Sequence, residues 1–189
     1  MTSKIVLRCK RCLTAGVLLL LPILALSAQA PAASTSTPPA WKTYTYPADG
    51  FSISFPSDPQ TGKQSVPTDA GSFELRTYLV TPGNAALYVG VCDYGAAVAG
   101  RDPQAVLTGA KNGAIGNVKA HMLTEEKVTL GVYPGVGFEA ENDTMHFTAR
   151  VYLVGTTLYQ TLIASPLSDK YADPTKFIDS FQLIPRVAQ

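Results

Sequence analysis

The sequence predicts an α+β fold: a mainly antiparallel sheet of about seven strands flanked by helices. Segments in which apolar and polar residues alternate recur after residue 41, and this period of two is typical of half-buried strands. Asp-Pro pairs at 102–103 and 173–174 indicate helix starts, because Asp caps the free amides and Pro fits the first helical position. Turn signals separate most of the strands, so we expect hairpins, with the helices packed on the sheet.

The predicted elements follow one another in a simple order. An aromatic segment at 41–46 leads through an Asp49-Gly50 turn into a strand at 51–55, where Phe and Ile alternate with Ser. A nearly continuous apolar run at 85–94 predicts a strand covered on both faces. The other predicted elements are strands at 72–81, 119–130 and 158–165, a hairpin at 136–154, a helix from 102 to 113 or 116, and a short helix from 173 that carries Phe177, Ile178 and Phe181.

The hairpin at 136–154 has the clearest pattern. A two-residue turn at Asn142-Asp143 would pair Glu141 with Thr144 and Glu139 with His146. The alternation divides the side chains between two faces, and a slip by one residue would mix them. We expect the buried face to carry Phe138, Ala140, Met145, Phe147, Ala149, Val151 and Leu153, and the other face to carry Glu139, Glu141, His146, Thr148 and Arg150.

The N-terminal segment predicts export. Residues 1–30 combine four basic residues, an apolar run at 15–26 and an Ala-Gln-Ala sequence at 28–30, the pattern of a cleavable signal peptide. The run is shorter than the roughly 20 residues of a spanning helix, and no later run is long enough to predict a membrane anchor. We therefore expect cleavage after Ala30 and a periplasmic or extracellular location.

The rest of the chain is predicted to be a linker and one domain. Residues 31–40 are rich in Pro, Ala, Ser and Thr and contain no large apolar residue, which is typical of a disordered tether. Residues 41–189 show neither an internal repeat nor a second linker, so we predict a single α+β domain there.

Charge and cysteine content narrow the function classes. Without residues 1–30 the chain carries 11 basic and 14 acidic residues, a formal charge of −3, which argues against nucleic acid as the main partner. Cys9 and Cys12 would leave with the signal peptide, so the exported chain would retain only Cys92 and could form no internal disulfide. Cys92 lies within an apolar strand, where a small buried side chain is expected.

Three motifs resemble PsbP-like domains. The segment at 46–56, YPADGFSISFP, is similar to the opening of that family, residues 150–160 to its last hairpin, and residues 177–181 to its closing helix. The resemblance covers most of residues 41–184 and implies an α/β/α sandwich. The best-known members are extrinsic subunits of photosystem II, and many bacterial relatives are exported. The family shares no catalytic centre, so the resemblance implies no catalytic residue and no cofactor.

The acidic face of the hairpin is the candidate metal site. Glu139, Glu141 and His146 would share this face, and carboxylate with imidazole ligands suits manganese or zinc. The alternative is a solvated acidic edge, because side chains two residues apart on a flat strand stand about 6–7 Å from one another. His146, Glu139 and Ser165 could form a catalytic arrangement, but no Gly-x-Ser-x-Gly turn accompanies them.

These observations leave three classes of function. The leading hypothesis is an exported, non-enzymatic envelope protein that binds or assists a larger assembly, with another envelope protein as its partner. The first alternative is a small-ligand or metal-ion binding module, which would need a concavity lined by residues such as Arg150 and Tyr152. The second alternative is a hydrolase, which would need His121 or His146 buried beside a serine or a carboxylate.

Overall fold

The computed structural model describes residues 40–68 and 71–187. The predicted signal peptide at 1–30 lies outside the described residues, and so does the predicted linker at 31–40 except for its last residue. Among the described residues, none of the helices has the length and apolarity needed to cross a membrane.

A seven-stranded antiparallel sheet forms the centre of the fold. The strands are β3 (Gln60–Thr68), β4 (Gly71–Val80), β5 (Ala86–Asp93), β6 (His121–Leu130), β7 (Tyr133–Glu141), β8 (Met145–Val154) and β9 (Thr157–Pro166). Their order in the sheet is β3-β4-β5-β9-β8-β7-β6. Consecutive strands in the chain pair as hairpins, except that β5 pairs with β9 instead of β6. The two edges are therefore β3 and β6.

A second, three-stranded sheet packs on one face of the central sheet. Its order is β1-β2-β10, with β1 at Lys42–Tyr46, β2 at Phe51–Phe55 and β10 at Gln182–Leu183. The middle strand is almost fully buried, because its phenylalanines and isoleucine enter the core beneath it. Burying such aromatic side chains contributes about 1.5–3 kcal/mol each.

Within residues 40–68 and 71–187, two helices and one 3-10 turn complete the architecture. The first helix, α1, spans Pro103–Asn117, and the Asp102 carboxylate accepts hydrogen bonds from its first amides. The second, α2, spans Pro174–Ile178 and is capped in the same way by Asp173. A 3-10 turn occupies Gly95–Ala97. Both helices thus begin where the Asp-Pro pairs predict.

The central sheet separates two hydrophobic cores. One core lies between the central sheet and the small sheet with α2, and it is rich in aromatic rings. The other lies beneath α1 and consists mainly of aliphatic side chains. Representative members are Phe51, Phe55, Tyr159, Phe177 and Phe181 in the first core, and Leu107, Val136, Ala149, Val151 and Leu153 in the second.

The observed architecture confirms the predicted fold class, a mainly antiparallel sheet with helices against it. Two of the strands, β3 and β10, were not predicted from the sequence. The edge strand β3 carries Gly, Pro and several polar residues and is largely exposed, so it lacks the alternation of a half-buried strand. The other, β10, is only two residues long, and a separate small sheet was not expected.

The register predicted for the 136–154 hairpin is wrong by two residues. Glu141 pairs with His146 and Glu139 with Thr148, so three residues, 142 to 144, separate the two strands rather than two. The side chain of Asn142 explains the difference, because its oxygen accepts the amides of Thr144 and Met145 and closes a wider turn. A shift of two preserves the assignment of side chains to faces, which is as predicted.

Candidate functional site

A buried carboxylate lies in the turn between β1 and β2. The amides of Asp49 and Gly50 both donate to the carbonyl of Tyr46, at 3.1 and 2.9 Å, and Gly50 has a φ of +74°, which glycine adopts without strain. The residue Asp49 is only 2% exposed. A buried ionised group is costly without partners, so its contacts decide whether the turn is stable.

Two side chains of β4 pair with this carboxylate. The Nε atom of Arg76 lies 2.5 Å from Asp49 Oδ1, an ion pair in which the N–H direction does not meet hydrogen-bond geometry. The hydroxyl of Tyr78 donates to the other carboxylate oxygen. Burial, followed by this hydrogen bond, raises the pKa of Tyr78 well above its usual range, so the phenol stays protonated. The side chains of Arg76 and Tyr78, two residues apart on a strand, share one face of the sheet.

The C-terminal segment is tied to the same turn. The hydroxyl of Tyr159 donates to the backbone carbonyl of Asp49 at 2.7 Å, and Nη2 of Arg186 donates to that hydroxyl at 3.0 Å. The same nitrogen also donates to Oγ1 of Thr157 at 3.0 Å. Backbone hydrogen bonds from Ile184 to Gly50 and from Val187 to Pro47 hold the segment along the turn. Strands β1, β4 and β9 and the C-terminal segment therefore meet here.

An open cleft of about 850 Å³ adjoins this junction, and we call it the basic cleft. It lies between the β3–β4 hairpin, the β1–β2 turn and the C-terminal segment. Three cationic side chains line it together with two aromatic rings and one exposed aliphatic side chain. These residues are Lys63, Arg76, Arg186, Tyr46, Tyr78 and Val187.

The register of β3 and β4 places two positive charges opposite each other. Lys63 pairs directly with Arg76, and like charges in this position disfavour pairing. Glu74 offsets part of the repulsion, with a carboxylate oxygen 3.3 Å from Lys63 Nζ and 3.6 Å from Arg76 Nη1. The side chains of Lys63 and Glu74 are 69% and 51% exposed, so their ion pair is weak and its members are free to exchange partners.

Aromatic rings form one wall of the basic cleft. The rings of Tyr46 and Tyr78 lie 4.1 Å apart between centroids, tilted by 47°. Desolvation by burial raises the pKa of Tyr46 to about 12, so its hydroxyl is protonated near neutral pH. The wall is therefore uncharged, and the cleft combines cationic donors with an apolar surface.

A second polar cluster lies at the far end of the β7–β8 hairpin. Nδ1 of His146 lies 2.9 Å from Glu141 Oε1, and Lys170 Nζ donates to the same oxygen at 2.7 Å. The other ring nitrogen of His146 lies 3.3 Å from Oγ1 of Thr148. The hydrogen bond from Lys170, then that from His146, lowers the pKa of Glu141. We call these four residues the hairpin cluster.

Two of the three predicted metal ligands, Glu141 and His146, meet in the hairpin cluster. The third, Glu139, lies opposite Thr148 and lines a separate cavity of about 500 Å³ beside α2. Across residues 40–68 and 71–187, no group of three or more His, Cys, Asp or Glu side chains is arranged to hold a metal ion. In the hairpin cluster, Lys170 and Thr148 take up positions next to the two predicted ligands.

Comparison with known proteins supports the fold. No family model matches the sequence, and no curated protein matches it. The solution structure of cyanobacterial PsbP (CyanoP) from Synechocystis sp. PCC 6803 is similar, with a TM-score of 0.52 at 11% identity, over 79% of this chain and 95% of that one. The fold is PsbP-like. The resemblance seen in the sequence motifs is thus confirmed at the level of the fold.

A crystal structure from Bacteroides thetaiotaomicron VPI-5482 also overlaps with this chain. Its TM-score is 0.40 at 12% identity, and the overlap covers 75% of this chain and 48% of that one. The present chain therefore spans about half the length of that protein.

Two of the remaining sequence candidates lie beside the predicted ligands: Ser165 pairs directly with His146 across β8 and β9, and Arg150 lines the same cavity as Glu139. Tyr152 is 3% exposed within the aromatic core, and Arg150 Nη1 donates to Asp179 Oδ1 at 2.5 Å beside α2. Ser165 is 1% exposed, and its hydroxyl accepts the amide of Tyr171 rather than facing a cleft. Cys92 is a buried free thiol, as predicted, and burial raises its pKa.

The sequence did not identify the residues of the basic cleft as candidates for a functional site. Asp49 was recognised only as part of a turn, a position where aspartate is usually exposed. Lys63 lies on β3, which the sequence did not predict, and Arg76 lies at a polar position of the alternating strand β4. No local pattern marks them, because Lys63 and Arg76 are the single cationic residues of their strands and share a face through the register in which the strands pair.

Proposed function

We propose that this protein is an exported, non-catalytic binding module of the cell envelope, accessory to a larger assembly, and that its working surface is the basic cleft. The observation that carries the proposal is the convergence of Lys63, Arg76 and Arg186 on one open concavity. Cationic donors beside neutral aromatic rings are suited to the recognition of an anion.

The PsbP-like fold supports the accessory role. The resemblance to this family implies relatives that serve as extrinsic subunits of a larger complex, without a common catalytic centre. The signal peptide predicted for residues 1–30 supports export. Fold alone does not decide function, so the proposal depends on the cleft itself.

Site-specific photocrosslinking tests the proposal. A photoreactive amino acid replaces Lys63, at the mouth of the cleft, or Lys127, an exposed lysine on the opposite edge strand β6. We expect a crosslinked product of defined mass in native envelopes from the first position and none from the second. Absence of any product at position 63, or the same product from both positions, would contradict a working surface at the cleft.

The hairpin cluster favours a second candidate, hydrolysis. Thr148, His146 and Glu141 are joined by contacts of 3.3 and 2.9 Å in the order hydroxyl, imidazole, carboxylate, which is the connectivity of a nucleophile, a base and its orienting acid. The test is turnover of p-nitrophenyl acetate by the wild type, Thr148→Val and His146→Gln. If both substitutions remove nearly all turnover, hydrolysis replaces the binding proposal; unchanged background rates exclude it.

A further inference from the structure

The three cations of the basic cleft come from three different parts of the fold. Lys63 lies on β3, Arg76 on β4 and Arg186 on the C-terminal segment beyond β10. Segments distant in the sequence thus supply N–H donors to one concavity. Such convergence orients a ligand, because each donor approaches it from a different direction.

The acidic neighbours leave these donors only partly engaged. Arg76 is held by Asp49 through Nε, and Arg186 lies 3.9 Å from Asp93 through Nη1. Lys63 contacts Glu74 in a solvent-exposed pair of the kind that contributes little free energy. Since these three carboxylates formally balance the three cations, the cleft offers directional donors without a net positive charge. That balance suits a singly charged anion better than a doubly charged one.

The apolar part of the cleft supplies a surface for the body of a ligand. The ring of Tyr46 is half-buried and uncharged, and Val187 is 63% exposed at the rim. The volume of about 850 Å³ lies within the range of about 300–1,000 Å³ that is usual for small-molecule sites. A ligand with a charged head and an apolar body would satisfy both parts of the surface.

We propose that the basic cleft binds an organic carboxylate, with the anionic head near Lys63, Arg76 and Arg186 and the apolar body against Tyr46. This inference rests on the proposal that the cleft is the working surface and specifies the chemistry it recognises. The carboxylate belongs either to a free small molecule or to an acidic side chain of a bound protein. Guanidinium groups match the planar geometry of a carboxylate, whichever molecule carries it.

Nuclear magnetic resonance titration of the ¹⁵N-labelled protein tests the inference. The probes are phenylacetate, its neutral analogue phenylacetamide and inorganic phosphate, each followed through the amides of Gly62 and Lys63 and the side chain of Arg76. We expect saturable shifts at these residues with phenylacetate and none with phenylacetamide. Equal binding of phenylacetamide, tighter binding of phosphate, or no saturable shift would overturn the inference.

Matched lysine variants locate the site. Lys63→Ala should weaken phenylacetate binding on the order of tenfold, since it removes one charged donor from an open site. Lys127→Ala, on the opposite edge strand, should leave the affinity unchanged. Equal effects of the two substitutions would show that binding follows overall charge and would overturn the assignment to the cleft.

The source of the carboxylate is distinguished with a capped dipeptide, N-acetyl-phenylalanyl-glutamic amide, whose only carboxylate is the glutamate side chain. Tighter binding of this peptide than of phenylacetate indicates a protein ligand, and the reverse order indicates a free small molecule. Either order supports carboxylate recognition. A crosslinked product at position 63 without binding of either carboxylate would overturn this inference and leave the binding function standing.

Discussion

The two polar clusters of this protein differ in how far apart in the sequence their members lie. The hairpin cluster joins Glu141, His146 and Thr148 from one hairpin, with Lys170 as its only distant member. The cluster around Asp49 joins a turn, two strands of the central sheet and the C-terminal segment, with one hydrogen bond spanning 110 residues. The first cluster is local and near the surface, and the second is long-range and buried.

The two clusters therefore contribute differently to stability: one depends on local contacts, and the other on contacts between distant segments of the fold. The contacts of Asp49 form only after β1, β4 and β9 have come together, so they report on tertiary structure and shape the basic cleft. Most contacts of Glu141 lie within one hairpin, whose strands β7 and β8 are already paired through their backbones. We therefore expect substitutions near Asp49 to change global stability, and substitutions in the hairpin cluster to have small effects.

The largest effect is expected from Asp49→Ala. The substitution leaves the Arg76 guanidinium and the Tyr78 hydroxyl without their shared partner, and breaking a buried ion pair costs about 3–5 kcal/mol. The side chain of Arg76 is 27% exposed, so solvent reduces this to about 2–4 kcal/mol. Urea unfolding followed by the fluorescence of Trp41, the single tryptophan, measures it.

An exposed aspartate provides the control for Asp49. Asp58 accepts a hydrogen bond from Tyr44 at 2.6 Å on the surface, where solvent weakens it, so Asp58→Ala should reduce the stability much less than Asp49→Ala. If the two substitutions destabilise the protein equally, the burial of Asp49 does not make its contacts more stabilising than those of an exposed aspartate.

A smaller loss of stability is expected from Gly50→Ala. The added Cβ would enter a positive-φ conformation and would lie 2.6 Å from Cγ of Arg186. The backbone alone accounts for about 1–2 kcal/mol. Gly83→Ala separates the two causes, because Gly83 has a φ of +59° and no atom within 4 Å of the position of a Cβ. Urea unfolding should show a greater loss for Gly50→Ala. Equal losses would mean that the C-terminal segment moves aside freely.

The sequence predicts those parts of the fold that local periodicity reveals. The alternation over 136–154 identifies both faces of the hairpin correctly, because the pleat alone decides which side chains point inward. The loop length was wrong, since it depends on hydrogen bonds of one side chain, Asn142. The exposed edge strand β3 was missed because exposure removes the pattern that marks a strand.

The basic cleft could not be predicted because its residues come together only in the tertiary structure. The Asp49-Gly50 turn was recognised, but the burial of Asp49 depends on Arg76, Tyr78 and Tyr159, whose positions follow from sheet order. Similarly, Lys111 lies one helical turn after Leu107 and is buried with it, because Glu125 on β6 pairs with it at 2.6 Å. Polar residues of this kind look like surface residues until their partners are known.

An intermediate effect is expected from Tyr159→Phe. The substitution removes the hydroxyl that donates to the Asp49 carbonyl and accepts from Arg186, while the ring and its packing remain. Loss of a buried hydrogen bond costs about 1–2 kcal/mol, measured again by urea unfolding. The half-buried Tyr133 is a suitable control, and Tyr133→Phe should be nearly neutral. A neutral Tyr159→Phe would show that the backbone contacts and the hydrogen bond from Arg186 to Thr157 are enough to hold the C-terminal segment.

The smallest effect is expected from Glu141→Gln, and pH identifies its origin. The hydrogen bonds from Lys170 and His146 lower the pKa of Glu141 below its ordinary value of 4.5. A carboxylate with a lowered pKa in the folded state stabilises the protein above its unfolded pKa, and this contribution is lost as pH falls through the folded pKa. The melting temperatures of wild type and variant should therefore differ slightly at pH 7 and converge in acid below pH 4.5. Glu139→Gln, outside the hairpin cluster, is the control, and its melting temperature at pH 7 should equal that of the wild type. A difference in melting temperature that persists below pH 4.5 would mean that Glu141 stabilises the protein through packing and not through its charge. The two clusters would then differ in the burial of their carboxylates alone.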